Sequence, residues 1–417
     1  MTDVAAAPGL MRGALEGVRV LDLTRIMAGP WSTQILADLG AEVIKIEMPG
    51  KGDDTRRWGP YVSDGADGSE RISAYFRAVN RGKQSITVDM AKPEGRAIVV
   101  DLAKKSDIVI ENYKVGGLAR YKLAYADLAA INPRLVYCSI TGFGQTGPYA
   151  NRAGYDTVAQ AMGGFMSVTG EPDGAPGGGP QRAGIPFVDL MTGLYATAGI
   201  LAALRYRDMT GRGQHIDLGL LDVQVAAMAY FGVEHLATGR VQQRTGNSNP
   251  VASPSGLFPC KDGNVVLIVG NDAQFKRFCE VVGLRDLDGD ARFVSNASRV
   301  AHRLELRALV VQALSSLTVE YCVSNLDPAG IACGPVNDLK QVFEDPQVIA
   351  RGMVTQLQHP AQGPIRTISN PLRLSASPVR YERPPPMLGE HTGEVLGKVL
   401  GMSAEAIDAL RGRGIIG

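Results

Sequence analysis

The strongest constraint on the fold is a strand–turn–helix–strand order at the start of the chain. Residues 18–23, Val-Arg-Val-Leu-Asp-Leu, form a short apolar run behind Gly17 and read as a buried strand. Met27-Ala28-Gly29-Pro30 reads as a turn, residues 31–39 have helical spacing, and Gly40 is placed to end that helix. Residues 43–47 supply the next strand. Two strands joined through a helix run parallel, because the crossover returns the chain to the same end of the sheet. The order then repeats. Residues 85–89 read as a strand, 93–105 as a helix with Pro93 in its first turn, and 107–111 as a strand. Residues 125–131 read as a helix, and 135–140 as a strand running into Thr141-Gly142-Phe143-Gly144. This alternation predicts an α/β fold with an open, doubly wound, Rossmann-like parallel sheet.

Residues 170–184 are rich in Gly, Pro and Asp and read as a loop, and a long apolar helix from Asp189 to about Tyr206 follows. Composition changes after about residue 225: a polar loop, a hairpin-like pair of runs and helices over 273–325 read as a smaller α+β domain. A length of 417 residues fits two or three folding units, with ample core and no need of disulfides or a structural metal. Lys plus Arg is 43 against 42 for Asp plus Glu, a net charge of +1, which argues against nucleic-acid and membrane-surface partners. The cysteines, Cys138, Cys260, Cys279, Cys322 and Cys333, are odd in number and form no C-x-x-C, so neither a disulfide framework nor a zinc site is expected. Residues 1–13 lack the pattern of a secretory leader, and the apolar stretch 194–204 is broken by Thr197 and Gly199. A cytoplasmic protein is expected.

The motifs exclude several chemistries. G-x-G-x-x-G is missing from the first strand–helix turn, which disfavours NAD and FAD, and no P-loop or G-x-S-x-G occurs. The five histidines show no metal-like spacing. Carboxylates are therefore the candidates, with Asp189 foremost, flanked by apolar residues at the head of the long helix. One reading makes it the helix N-cap, and by composition alone that reading stands ahead. The other makes it a partly desolvated nucleophile, and the two are compatible.

Several ordered segments then carry a family resemblance. They are residues 15–24 with Ala28-Gly29-Pro30, 39–47, 52–56, 80–86 and Glu111-Asn112-Tyr113, then 141–148, 210–214 and 388–392. Over these segments the chain resembles the class III CoA-transferases, the family that includes formyl-CoA transferase and carnitine CoA-transferase. The resemblance implies that Asp189, in its Gly-x-x-x-x-Asp-x-x-x-Gly setting, attacks an acyl-CoA thioester. The reaction would pass through an aspartyl anhydride and an aspartyl-CoA thioester. CoA thioesters would be substrates, with no permanently bound cofactor and no metal.

The resemblance also implies CoA contacts at Arg25, Met27 and Ala28, at Val88, Asp89 and Met90, at Glu111, Asn112 and Tyr113, and at Arg120 and Tyr155. Arg56, Lys83 and Arg152 are candidate phosphate partners. The α-methylacyl-CoA racemases share the fold but carry Gly-His-Asp where this chain has Gly154-Tyr155-Asp156, and tyrosine is a poor proton shuttle near neutrality. A non-catalytic acyl-CoA-binding protein would have no need of Asp189. Residues 152–156 and 189–196 look most like the succinyl-CoA-dependent dicarboxylate branch. Arg182 and Arg244 are candidates for holding a distal carboxylate, with a solvated loop arginine as the alternative for each. By resemblance, the large domain would combine 1–215 and 335–417 and the small one 225–330, with linkers at 216–224 and 331–334. An interlocked homodimer is implied as well.

Overall fold

The computed structural model describes residues 13–62, 72–249 and 251–417. Residues 1–12, on which the leader reading over 1–13 rests, and Pro250 lie outside the described residues. The chain divides into two compact units: Met1–Gly164, Ala183–Val233 and Ala350–Gly417 make the first, and Phe165–Arg182 with Glu234–Ile349 the second. Compared with the expected small domain of 225–330, the main segment of the second unit runs from 234 to 349, and residues 165–182 join it. No linker stands at 216–224, because those residues finish a sheet strand and begin the helix after it.

The first unit is built on strands β1 (Arg19–Asp22), β2 (Glu42–Glu47), β3 (Lys83–Thr87), β4 (Ile108–Glu111), β5 (Val136–Thr141) and β6 (His215–Gly219). Their order across the sheet is β3-β2-β1-β4-β5-β6, and every neighbouring pair is parallel. The helices up to the long apolar one are α1 (Ala28–Asp38), α2 (Ala74–Val79), α3 (Pro93–Lys104), α4 (Tyr125–Ala129), α5 (Asp156–Met162), α6 (Phe165–Val168, in the second unit) and α7 (Phe187–Thr210). Strand alternation sends Leu21, Ile44, Ile86 and Val109 to one face, where α3, α4 and the C-terminal helices Thr392–Leu400 and Ala404–Gly412 cover them. Val20, Val43, Ile110 and Ile140 face α1, α5 and α7 on the other. Burial on both faces is why β1, β4 and β5 read as largely apolar runs.

Helix α7 is long and apolar enough to span a bilayer by length and composition, beyond what the interrupted run 194–204 suggested. Its Val188, Ala196, Ile200 and Ala203 are buried in the core of the first unit. The second unit has a three-stranded antiparallel sheet of β7 (Ser255–Cys260), β8 (Gly263–Ile268) and β9 (Ala332–Pro335). It packs with helices about a core that includes Phe258, Phe275, Phe278 and Leu306.

The residues read as a turn before α1 are largely its first turn, since the helix begins at Ala28. Pro30 fits there because the N–H it lacks would have no helical acceptor. A Cβ on Gly29 would meet the Thr24 side chain at 2.3–2.6 Å, so only glycine lets the helix start this close to β1.

Beneath this turn lies a buried ion network. Lys83 donates to Asp22 at 3.1 Å, to the Pro30 carbonyl at 3.0 Å and to Asn80 at 3.0 Å. Lys45 donates to the Thr24 carbonyl at 2.8 Å and to Asp53 at 3.0 Å. All four charged side chains are fully inaccessible. Burial opposes ionisation of Asp22, but Lys83, Lys45 and the hydroxyls of Thr24 and Thr33 outweigh it and hold the carboxyl at about 2. Removing one partner of such a pair strands the other charge. Lys83→Met is expected to cost about 3–5 kcal/mol in urea unfolding. A loss below 1 kcal/mol would show that the network is dispensable.

Candidate active site

In an open parallel sheet the ligand crevice lies outside the strand C-termini, where the strand order reverses. Here that point lies between β1 and β4. The two loops leaving these strands are knitted together: the Arg25 N–H donates to Asn112 Oδ1 at 2.9 Å, and Asn112 Nδ2 donates to the Arg25 carbonyl at 2.7 Å. The Arg25 guanidinium pairs with Asp54 at 3.0 Å and sits 5.4 Å from the Tyr113 ring centroid. Glu111 is buried and accepts from the Tyr113 N–H at 2.7 Å; burial raises its carboxyl. Met27 is the N-cap of α1 but offers no side-chain cap, so the first N–H groups of that helix keep free donor capacity. Arg25, Met27, Ala28, Glu111, Asn112 and Tyr113 thus converge at the switch point.

Asp189 is brought toward the same turn by α7. A Cβ on Gly193, one helical turn further on, would meet the Ala28 carbonyl at 2.7 Å and Trp31 at 2.8 Å, so α7 lies directly against the start of α1. Asp189 is not the helix cap expected from composition. It is the third residue of α7, whose N-cap is Pro186 without any side-chain cap. Its backbone N–H and that of Val188 donate to Asp156 Oδ2 at 3.1 and 2.8 Å. The Asp189 side chain is partly exposed. Its carboxyl is pushed up to about 7, first by burial and then by the negative charge of Asp156.

Asp156 is placed by a backbone crossing. Gly142, after β5, and Gly154 approach so closely that a Cβ on either would stand 2.4–2.5 Å from the other's Cα. Tyr155, the N-cap of α5, is 65% exposed next to this crossing. Tyr75 on α2 was not singled out in the sequence, yet it belongs here. Burial raises its hydroxyl, and the charges of Asp189 and Asp156 add to that shift. Nothing local in the sequence marks it, because its partners lie more than eighty residues away.

The remaining candidates have surroundings of their own. Lys83 is a correction: it is fully buried, with its ammonium committed to Asp22, Asn80 and Pro30, and it cannot reach a ligand phosphate. Arg56 is another. It binds Glu47 through two 2.7 Å contacts, donates to the Pro386 carbonyl and lies 3.7 Å from the Phe76 ring centroid. Val88, Asp89 and Met90 follow β3 at the sheet edge, two strands from β1, or about 10 Å. There Val88 is buried, and the Asp89 N–H is taken by the Ile415 carbonyl. Arg120 is exposed over Tyr121, and Arg152 is exposed over Tyr149 and Phe143. Arg182 and Arg244 belong to the second unit. Arg244 is tied there to Asp173 and to the carbonyls of Glu171 and Ser167. Among the described residues no group of three or more His, Cys, Asp or Glu is placed to hold a metal ion.

The sequence model of CoA-transferase family III matches residues 15–392. The chain is 47% identical to a succinate–glutarate CoA-transferase of Agrobacterium fabrum over 92% of this chain and 95% of that one. It is 40% identical to the human succinyl-CoA:glutarate CoA-transferase over 96% of this chain and 90% of that one. Among solved structures, a CAIB/BAIF family protein from Brucella suis is 43% identical with a TM-score of 0.85, covering 93% of this chain and all of that one.

The raised titration of Asp189 carries a stability cost of predictable sign. The folded protein holds a proton that the unfolded chain releases between about pH 4 and 7, so stability falls as pH rises through that window. Asp189→Asn removes this cost. At pH 8 the variant should be more stable than the wild type by about 1–2 kcal/mol in urea melts, and the gap should close at pH 4. A variant no more stable than the wild type at pH 8 would contradict the raised carboxyl.

Proposed function

The chain belongs to CoA-transferase family III, and from that premise we propose that it moves CoA from succinyl-CoA to a dicarboxylate of about glutarate length, with Asp189 as the nucleophile. The single observation that carries this reading is the placement of Asp189. It is a partly exposed, elevated carboxylate on the helix that packs against the switch-point turn. The names of the two relatives, which pair succinate or succinyl-CoA with glutarate, support the substrate class.

The steps follow from carboxylate chemistry. An Asp189 oxygen attacks the thioester carbonyl; the C–S bond breaks and CoA leaves as thiolate, giving an aspartyl–succinyl anhydride. The thiolate attacks the aspartyl carbonyl, succinate leaves, and Asp189 is now a CoA thioester. The acceptor carboxylate attacks that thioester and releases thiolate, which then takes the acceptor acyl group from the new anhydride and restores the Asp189 carboxylate. Each expelled thiolate must stay bound, because its return competes with water. The loops of Arg25–Ala28 and Glu111–Tyr113 are read as the surface that holds the CoA moiety. The uncapped start of α1 offers N–H groups to an anion at that surface.

An interlocked homodimer belongs to the same reading. Helix α7 exposes Leu194, Tyr195, Tyr206 and Met209, with Met209 68% accessible. A cavity of about 1140 Å³ beside it is lined largely by apolar residues, including Trp31, Ile35, Leu201, Ile365 and Ile368. Apolar area of this extent on one face fits association. Sedimentation equilibrium should give twice the 44.3 kDa chain mass, and a monomer at micromolar concentration would overturn the reading.

The reaction is tested with succinyl-CoA against glutarate and butyrate, reading the CoA products by mass spectrometry. Glutarate should exceed butyrate by ten- to a hundredfold in kcat/KM, the value of roughly one charge-assisted hydrogen bond to the distal carboxylate. Asp189→Ala should lower transfer by ~10³-fold or more while the protein stays folded. Equal use of butyrate removes the dicarboxylate assignment, and near-normal turnover by the variant removes the nucleophile.

A further inference from the structure

We propose that Asp156 is a positioning residue for Asp189: it supplies the N-terminal cap that α7 lacks in its own sequence, and it is the fixed negative charge facing the nucleophile. The proposal rests on the nucleophile reading above and deepens it.

The geometry accounts for every donor in the first turn of α7. The Phe187 N–H is taken by the Ile185 carbonyl at 2.8 Å, and those of Val188 and Asp189 by Asp156 Oδ2. Pro186 stands at the cap position, where a Ser, Thr, Asp or Asn side chain would ordinarily serve. The other Asp156 oxygen, Oδ1, accepts from Gln160 Nε2 at 2.5 Å. Gln160 is fully buried, and its Oε1 accepts the Ala183 N–H at 2.8 Å, so its amide cannot turn over without losing both bonds. Three N–H groups therefore point at the Asp156 carboxyl. The clamp spans the segment from Ala183 to Asp189 and pins the turn that presents the nucleophile.

The charge has a separate consequence. Asp189 must react as an anion, yet it becomes a neutral acyl derivative once CoA or succinyl is attached. Repulsion from Asp156 raises the energy of the free carboxylate and vanishes on acylation, so it favours attack. Among the described residues, Tyr75 on α2 feels the charges of both Asp189 and Asp156. On α1 the only charged side chain is Asp38, which is paired with Arg81 at the far end of that helix. Beyond β5, Asp217 on β6 accepts the Gln145 N–H, and Asp222 stands beside Gly219 and Gly144. Within the first turn of α7, Asp189 is the only acid.

Two variants separate the cap from the charge. In D156N/Q160E the carboxamide oxygen at position 156 still accepts from Val188 and Asp189. Its NH₂ donates to the carboxylate at position 160, which still accepts from Ala183. The hydrogen bonds and total charge are kept, and the charge moves one side chain further from Asp189. The acidic limb of kcat/KM against pH should then fall by about half to one pH unit. In D156A the cap is lost, and kcat should fall ~10–100-fold with KM for succinyl-CoA changed less than threefold. An unshifted limb in the exchange variant, or a D156A kcat within twofold of the wild type, overturns the proposal. If either variant fails to fold, D156N alone carries the same pH test. Peptide mass spectrometry of the wild type after incubation with succinyl-CoA keeps the two readings apart. A CoA adduct on Asp189 with an unshifted limb rejects the role of Asp156 alone, and an adduct elsewhere rejects the nucleophile itself.

Discussion

The site depends on the Asp22–Lys83 and Lys45–Asp53 pairs buried beneath the first strand–helix turn. Asp22 gathers the Thr24 N–H, the Thr24 and Thr33 hydroxyls and the Lys83 ammonium, and so joins the ends of β1 and β3 to α1. Lys45 and Lys83 hold the Thr24 and Pro30 carbonyls at the two ends of the turn. Between them, Ile26 sits at φ +74°, a conformation that a β-branched residue rarely adopts, with its N–H directed at the Asp53 carboxylate. A turn fixed at both ends and strained in the middle is a poor place for adaptable packing. It suits a surface that must meet one ligand in one geometry.

Much of the sheet was legible in the sequence because parallel strands covered on both faces are nearly all apolar. What misled was the charge within those strands. Lys83 was read as a phosphate partner, yet it begins Lys83-Gln84-Ser85-Ile86-Thr87, a strand in which every residue is buried. A lysine there must be paired inside the protein, and that signal was present in the pattern. Arg56 was misread for a different reason. Its partner Glu47 is nine residues back, and the Pro386 carbonyl comes from the far end of the chain, which no local window contains.

The candidate nucleophile was legible by its setting and only partly by its local structure. Composition suggested that Asp189 caps its helix, but the Pro186-Phe187 step starts the helix two residues earlier, and the capping carboxylate comes from Asp156, thirty-three residues back. Tertiary capping of this kind leaves no spacing rule in the sequence. Tyr75 was missed for the same reason. Its tie to Asp189 is a matter of charge and proximity between α2 and α7, with no motif of its own.

Geometry and charge at this site are set by different kinds of residue. Position comes from glycines where chain segments approach closely: Gly29 on Thr24, Gly193 on the Ala28 carbonyl, and Gly142 on Gly154. The Gly142–Gly154 contact is main chain on main chain, Gly193 meets the Ala28 carbonyl and the Trp31 side chain, and Gly29 meets the Thr24 side chain, so the approach of these segments is set by the missing Cβ atoms. Charge comes from side chains set on that frame. At the first turn, opposite charges cancel in buried pairs, and at α7 two acids face each other. The first arrangement makes a rigid surface without net charge, and the second stores repulsion between Asp156 and a partly exposed Asp189. Substitutions at the side chains can therefore retune reactivity while leaving the approach of the helices unchanged. A Cβ added at Gly193 or Gly154 would shift the helix or loop that carries the carboxylate before it altered any charge.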